Sequence, residues 1–98
     1  MDIAQAAATL SLAEVLDLKA ATALASDLLA VRGGDVALDG SAVQRLGAQC
    51  LQVIMSAGAT WKKEGASLQI VNPSRDLIEG LELLGVDPSG YCAKEAHL

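Results

Sequence analysis

The chain predicts an α/β domain in which three helices pack on a mixed β-sheet, in the order β-β-α-β-α-β-α. Three observations carry that expectation. Val36-Ala37-Leu38 is a short, wholly apolar run, the pattern of a central strand covered on both faces. Three longer segments place apolar residues at spacings of three and four, the period of an amphipathic helix. Each of these segments is followed by glycine, at Gly33-Gly34, Gly65 and Gly85, where a helix can close through a left-handed residue.

The elements follow in order. Two short extended pieces are expected at residues 9–12 and 15–16. Asp17 is a good N-cap for the first helix, whose stripe is Leu18, Ala21, Leu24, Ala25, Leu28 and Val31. Asp39-Gly40-Ser41 breaks the central strand. The second helix is expected to begin between residues 46 and 48 and to run to 63 or 64. Its inner stripe is Leu46, Cys50, Val53, Ile54, Ala57 and Trp61. Residues 66–71 alternate weakly and read as a strand. Asn72 is the expected cap of the third helix and Pro73 its first residue, with Leu77, Ile78, Leu81 and Leu84 as its stripe. Tyr91 is expected to fold back onto the sheet, and the tail from residue 93 to fray. The whole chain, 1–98, makes one domain with a core at about 9–92.

Composition narrows the function. The chain is 52% hydrophobic but has only one Trp and one Tyr and no Phe, so its core is aliphatic and tightly packed. A formal net charge of −5 argues against nucleic acid and anionic membrane surfaces as partners. No apolar run approaches the roughly 20 residues that cross a bilayer, and no leader pattern is present, so a cytoplasmic protein is expected. Cys50 and Cys92 lack metal-ligand spacing and are read as free thiols, a disulfide being the alternative. The one histidine, His97, lies in the tail, so no Ser/His/Asp set exists and no catalytic residue, metal or cofactor is expected.

Four stretches, in this order, resemble the STAS domain family of anti-sigma-factor antagonists and sulfate-transporter cytoplasmic domains. Leu16-Asp17-Leu18-Lys19-Ala20-Ala21-Thr22-Ala23-Leu24 resembles the family's Leu-Asp and Ala-rich first helix. Val36-Ala37-Leu38-Asp39-Gly40-Ser41-Ala42-Val43 resembles its hallmark Val-x-Leu-Asp-Leu-Ser-x-Val. Lys63-Glu64-Gly65-Ala66-Ser67-Leu68-Gln69-Ile70 and Leu81-Glu82-Leu83-Leu84-Gly85-Val86 resemble its later strand and closing helix. The resemblance implies a non-catalytic module that works by binding another protein.

It also implies where. In the regulatory members the loop before the second helix carries Asp-Ser-Ser-Gly, and a partner kinase phosphorylates a serine there. Those positions here are Gly47, Ala48, Gln49 and Cys50, and the phosphate-accepting one is Ala48, which has no hydroxyl. The family's docking surface maps onto Gln44, Arg45, Gly47, Ala48, Gln49 and Gln52. A narrower similarity, through the run from Val43 to Val53 and Trp61, is to stand-alone bacterial STAS proteins of chemotaxis signalling. It implies a histidine kinase, response regulator or anti-sigma-type kinase as partner. Two alternatives stand beside it: an accessory subunit on the ATPase of a phospholipid-transport ABC complex, and a nucleotide- or lipid-sensing domain.

Each singled-out residue also has a plainer role. Cys50 at a helix N-terminus would be reactive, but its place on the inner stripe favours a buried, inert thiol. Asp39 and Ser41 are expected to close a turn rather than bind metal or phosphate. Trp61 is expected in the core, with an interface anchor as the alternative.

Overall fold

The structure is a computed structural model describing residues 6–93. Its elements are β1 (Ala8–Ser11), β2 (Val15–Leu16), α1 (Leu18–Ala30), β3 (Val36–Asp39), β4 (Arg45–Leu46), α2 (Ala48–Lys63), β5 (Leu68–Val71) and α3 (Arg75–Leu83), followed by a 3-10 turn at Pro88–Gly90. The expected order holds apart from β4, a two-residue strand where a connection was expected. The expectations for His97 and for fraying of the tail fall mostly on residues 94–98, outside the described residues.

Where a mixed sheet was expected, every strand pairing among the described residues is parallel. β1, β3 and β5 form one sheet in the order β1-β3-β5, and β2 pairs with β4 in a second ribbon. The register aligns Leu10 with Leu38 and Leu38 with Ile70. Each connection within the main sheet contains a helix, which returns the chain to the same end and makes the next strand parallel. β3 is the central strand, and Val36, Ala37 and Leu38 are all fully buried.

One cluster joins the sheet to the helices: Val36, Leu38 and Ile70 meet Ala21, Leu24 and Leu28 of α1, Cys50, Leu51, Ile54 and Trp61 of α2, and Leu77 and Leu81 of α3. The periodic stripes thus predict the buried faces except at two positions, Leu84, 43% exposed at the C-cap of α3, and Leu18. Leu18 lies at the first position of α1 and points outward, 66% exposed.

Helix ends follow their local chemistry. Asp17 caps α1, its carboxylate accepting from the Ala20 N–H at 2.9 Å. α2 and α3 close alike: Ala66 N–H reaches the Trp61 carbonyl and Gly65 N–H that of Lys62, while Val86 and Gly85 do the same to Leu81 and Glu82. Gly65 and Gly85 take the positive φ this closure requires, 77° and 84°. The start of α3 corrects the sequence reading. Ser74, not Asn72, is the N-cap; its hydroxyl accepts from Leu77 N–H and donates to the Val43 carbonyl at 2.6 Å. Asn72 instead turns the chain at φ 49°, and Pro73 precedes the helix. A hydroxyl that satisfies both a helix donor and a loop acceptor outweighs the preference for proline at the first helical position.

Tyr91 does fold back. Ile70 N–H donates to its carbonyl and Ala93 N–H to that of Ile70, so this segment lies along the outer edge of β5.

Candidate partner-docking site

The sequence places the candidate site in residues 44–52, and this segment and the turn that leads into it are tied down by hydrogen bonds. Asp39 accepts from the Ser41 N–H at 2.9 Å, closing the turn after β3 as expected. That backbone bond chiefly holds the Asp39 carboxyl below the usual carboxylate range, helped by the Ser41 and Asn72 side chains and opposed by burial. Glu64 and Asp87 are lowered too, by Arg32 and by Ser89. Groups whose folded pKa is depressed stabilise the fold above their unfolded pKa, about 4, and lose that contribution as pH falls through the folded value. Urea denaturation is therefore expected to give a lower midpoint at pH 3 than at pH 6, and Asp39→Asn a shallower fall. Equal slopes for the two proteins would exclude the Asp39 contribution.

Gly40 is enclosed: a Cβ there would sit 2.5 Å from Leu77 Cδ2 and 3.3 Å from Ile70. The family pattern has leucine at this position, and here Leu77 occupies that room from α3. Beyond it, Gln44 and Arg45 N–H both donate to the Glu14 carbonyl, and Gly47 N–H to that of Leu16. The expected docking connection is thus pinned as strand β4.

Gly47 is the N-cap of α2. It offers no side chain to the free N–H groups, and the first turn holds no acidic residue. Its Cβ would lie 2.7 Å from the Leu16 carbonyl oxygen, a backbone atom fixed by the β2–β4 ribbon. Restoring the family's aspartate with Gly47→Asp gains a few tenths of a kcal/mol of capping. It must also separate the two short strands, as in an overpacked core, at about 1–3 kcal/mol. Net destabilisation is the expected result in thermal unfolding; a raised melting temperature would refute it.

The six predicted docking residues divide into two groups. Gln44, Arg45, Ala48, Gln49 and Gln52 are exposed and Gly47 is half-buried. Gln49 and Gln52 open onto a groove of about 690 Å³ between α1 and α2, whose lining does not include the other four. Its α1 wall includes Leu18, Thr22, Ala25 and Leu29, and its α2 wall Val53, Ser56, Ala57 and Thr60, with Trp61 beneath. Leu18 and Leu29 are 66% and 69% exposed and stand three turns apart, about 16 Å. No carboxylate lines the groove, although the chain carries 12 acidic residues, and Arg32 is its one charged side chain. Arg32 is engaged by Glu64 at the foot of the two helices, Nε lying 3.0 and 3.2 Å from its oxygens.

Sequence reasoning missed the α1 wall. Its signal was present, since positions 18, 22, 25 and 29 form a second helical stripe, but Leu18 and Ala25 were assigned to the inner one.

The plainer readings of Cys50 and Trp61 agree with the geometry. Cys50 is fully buried, its thiol donates to the Asp17 carbonyl at 3.3 Å, and burial, then the Asp17 charge, push its pKa up. The helix terminus does not activate it. Cys92 is also a free thiol. Trp61 is 3% exposed and donates from Nε1 to the Gly34 carbonyl at 2.8 Å, so it is a core residue. No group of three or more metal-ligating side chains occurs among the described residues, and no helix there is long and apolar enough to cross a membrane.

The described residues thus form a parallel α/β layer in which Gln49 and Gln52, near the start of the second helix, open onto a groove between α1 and α2. A family model described as Mlab, STAS domain matches residues 1–88, and the chain belongs to the STAS domain family. No curated protein and no solved structure matches it.

Proposed function

We propose that this protein is a constitutive docking module of bacterial signal transduction, non-catalytic and cytoplasmic, of the kind associated with chemotaxis. Its partner is a histidine kinase, a response regulator or an anti-sigma-type kinase. STAS membership supports a protein-interaction or signalling role in general. The observation that carries the constitutive reading is the start of α2, where Gly47-Ala48-Gln49 has neither the acceptor hydroxyl nor the neighbouring carboxylate. Phosphorylation would place about −1.5 to −2 charges at that terminus, and no side chain there can take them. The partner is held against the exposed wall of Gln49 and Gln52 and the groove that continues from it.

Two measurements test this. Incubation with anti-sigma kinases is expected to leave residues 44–52 without phosphate, and a phosphopeptide from that span would overturn the constitutive reading. Affinity capture from the source cells is expected to recover a signalling kinase or response regulator. The second reading is an accessory subunit of a phospholipid-transport ABC complex, favoured by the description of the matching family model as Mlab. Recovery of an ABC ATPase would establish it in place of the first.

A further inference from the structure

The two edges of the main sheet are treated differently. The outer edge of β5 is covered by the chain itself, through Tyr91 and Ala93. β1, at the other edge, pairs with β3 and with no other strand among the described residues. Ala8 N–H donates to the Asp35 carbonyl and Leu12 N–H to that of Asp39, so by the two-residue period positions 8, 10 and 12 face β3. Thr9 and Ser11 therefore turn their N–H and C=O groups outward, and both residues are exposed. The strand Ala8-Thr9-Leu10-Ser11 carries none of the usual guards of an edge: no lysine or other charge and no proline.

We propose that β1 is a self-association edge, on which a second copy of this chain adds its own β1 antiparallel across a two-fold axis. The register that engages both open residues pairs Thr9 with Ser11 of the second copy and Ser11 with its Thr9. Each such pair exchanges two main-chain hydrogen bonds. In this register Leu10 meets Leu10 beside the axis, extending the apolar face toward the helices, and the hydroxyl side chains meet on the opposite face. Glu14, the nearest acid along this strand, falls opposite Ala6, so no like charges face each other. The result is one continuous six-stranded sheet with both outer edges closed by Tyr91–Ala93. Four-residue strands give a small interface, and two chains of net charge −5 repel, so the dimer is weak, concentration-dependent and strengthened by salt.

Sedimentation velocity on the full chain, from about 10 µM to about 1 mM, the range of weak complexes, is the test. The expected result is a monomer shifting toward a dimer as concentration rises, with a larger shift at high salt. Thr9→Pro removes an outward N–H while sparing the bonds to β3, and Ser11→Lys adds a guarding charge. Each is expected to hold the protein monomeric with an unchanged circular dichroism spectrum. Three outcomes would overturn the proposal: a wild-type monomer throughout, a dimer indifferent to Thr9→Pro and Ser11→Lys, or a dimer abolished instead by substitutions in the α1–α2 groove.

Discussion

Trp61→Ala is expected to lower the unfolding free energy by about 3–5 kcal/mol, the range for deleting a large aromatic side chain from a packed core. Trp61 is the largest side chain in the core of a chain with one Trp and no Phe. It belongs to the cluster joining α1, α2 and β3, and its indole N–H satisfies the Gly34 carbonyl in the turn before β3. Truncation therefore opens a cavity and leaves an acceptor unpaired. Against a total stability of about 5–15 kcal/mol for a domain of this size, that loss is a large fraction, and the variant should unfold at markedly lower urea. Trp61→Phe keeps one aromatic ring but loses the other together with the donor, and the unpaired Gly34 acceptor alone costs about 1–3 kcal/mol. Urea denaturation followed by far-ultraviolet circular dichroism separates the two, and a loss below about 1 kcal/mol for Trp61→Ala would remove Trp61 from the core's main supports.

Charging the groove is expected to abolish partner capture without touching the fold. Leu18 and Leu29 are mostly exposed, so the pair Leu18→Asp and Leu29→Lys gives up little buried area, and stability should stay within about 0.5 kcal/mol. Aspartate at the first position of α1 suits the helix dipole, as does lysine in its last turn. A partner packed along both helices would have to desolvate the two charges. A loss on the order of 100-fold in affinity, about 2.7 kcal/mol, is expected by titration calorimetry with the captured partner. The Gln44→Ala and Arg45→Ala variants lie outside the groove and should weaken binding less than tenfold. If the order were reversed, the docking face would be the β4 end of the segment and the groove would be incidental.

This contrast marks how far the candidate site was legible. Gln49 and Gln52 could be placed on an outward helix face by counting, because a helix repeats every 3.6 residues whatever surrounds it. Gln44 and Arg45 could not be separated from them. Their split depends on β4 pairing with Glu14 and Leu16, which lie about thirty residues earlier in the chain. A two-residue strand leaves no period to detect, and only the ribbon it joins defines it.

The sequence by itself determined the local events of this protein. Asp17 caps a helix and Asp39 closes a turn because a side chain bonds backbone within a few residues of it. Gly65 and Gly85 end helices because a residue without Cβ takes positive φ. The apolar run Val36-Ala37-Leu38 and the helical stripes mark buried faces by their pattern. The absence of a phosphate acceptor at Ala48 is equally local. Only the tertiary structure decided how those pieces face one another. The all-parallel pairing, the choice of Ser74 as cap through its bond to Val43, the enclosure of Gly40 and Gly47, and the groove between α1 and α2 all bring together residues far apart in the chain. Close packing, in which a single Cβ is accepted or refused by atoms dozens of residues away, is the physical reason.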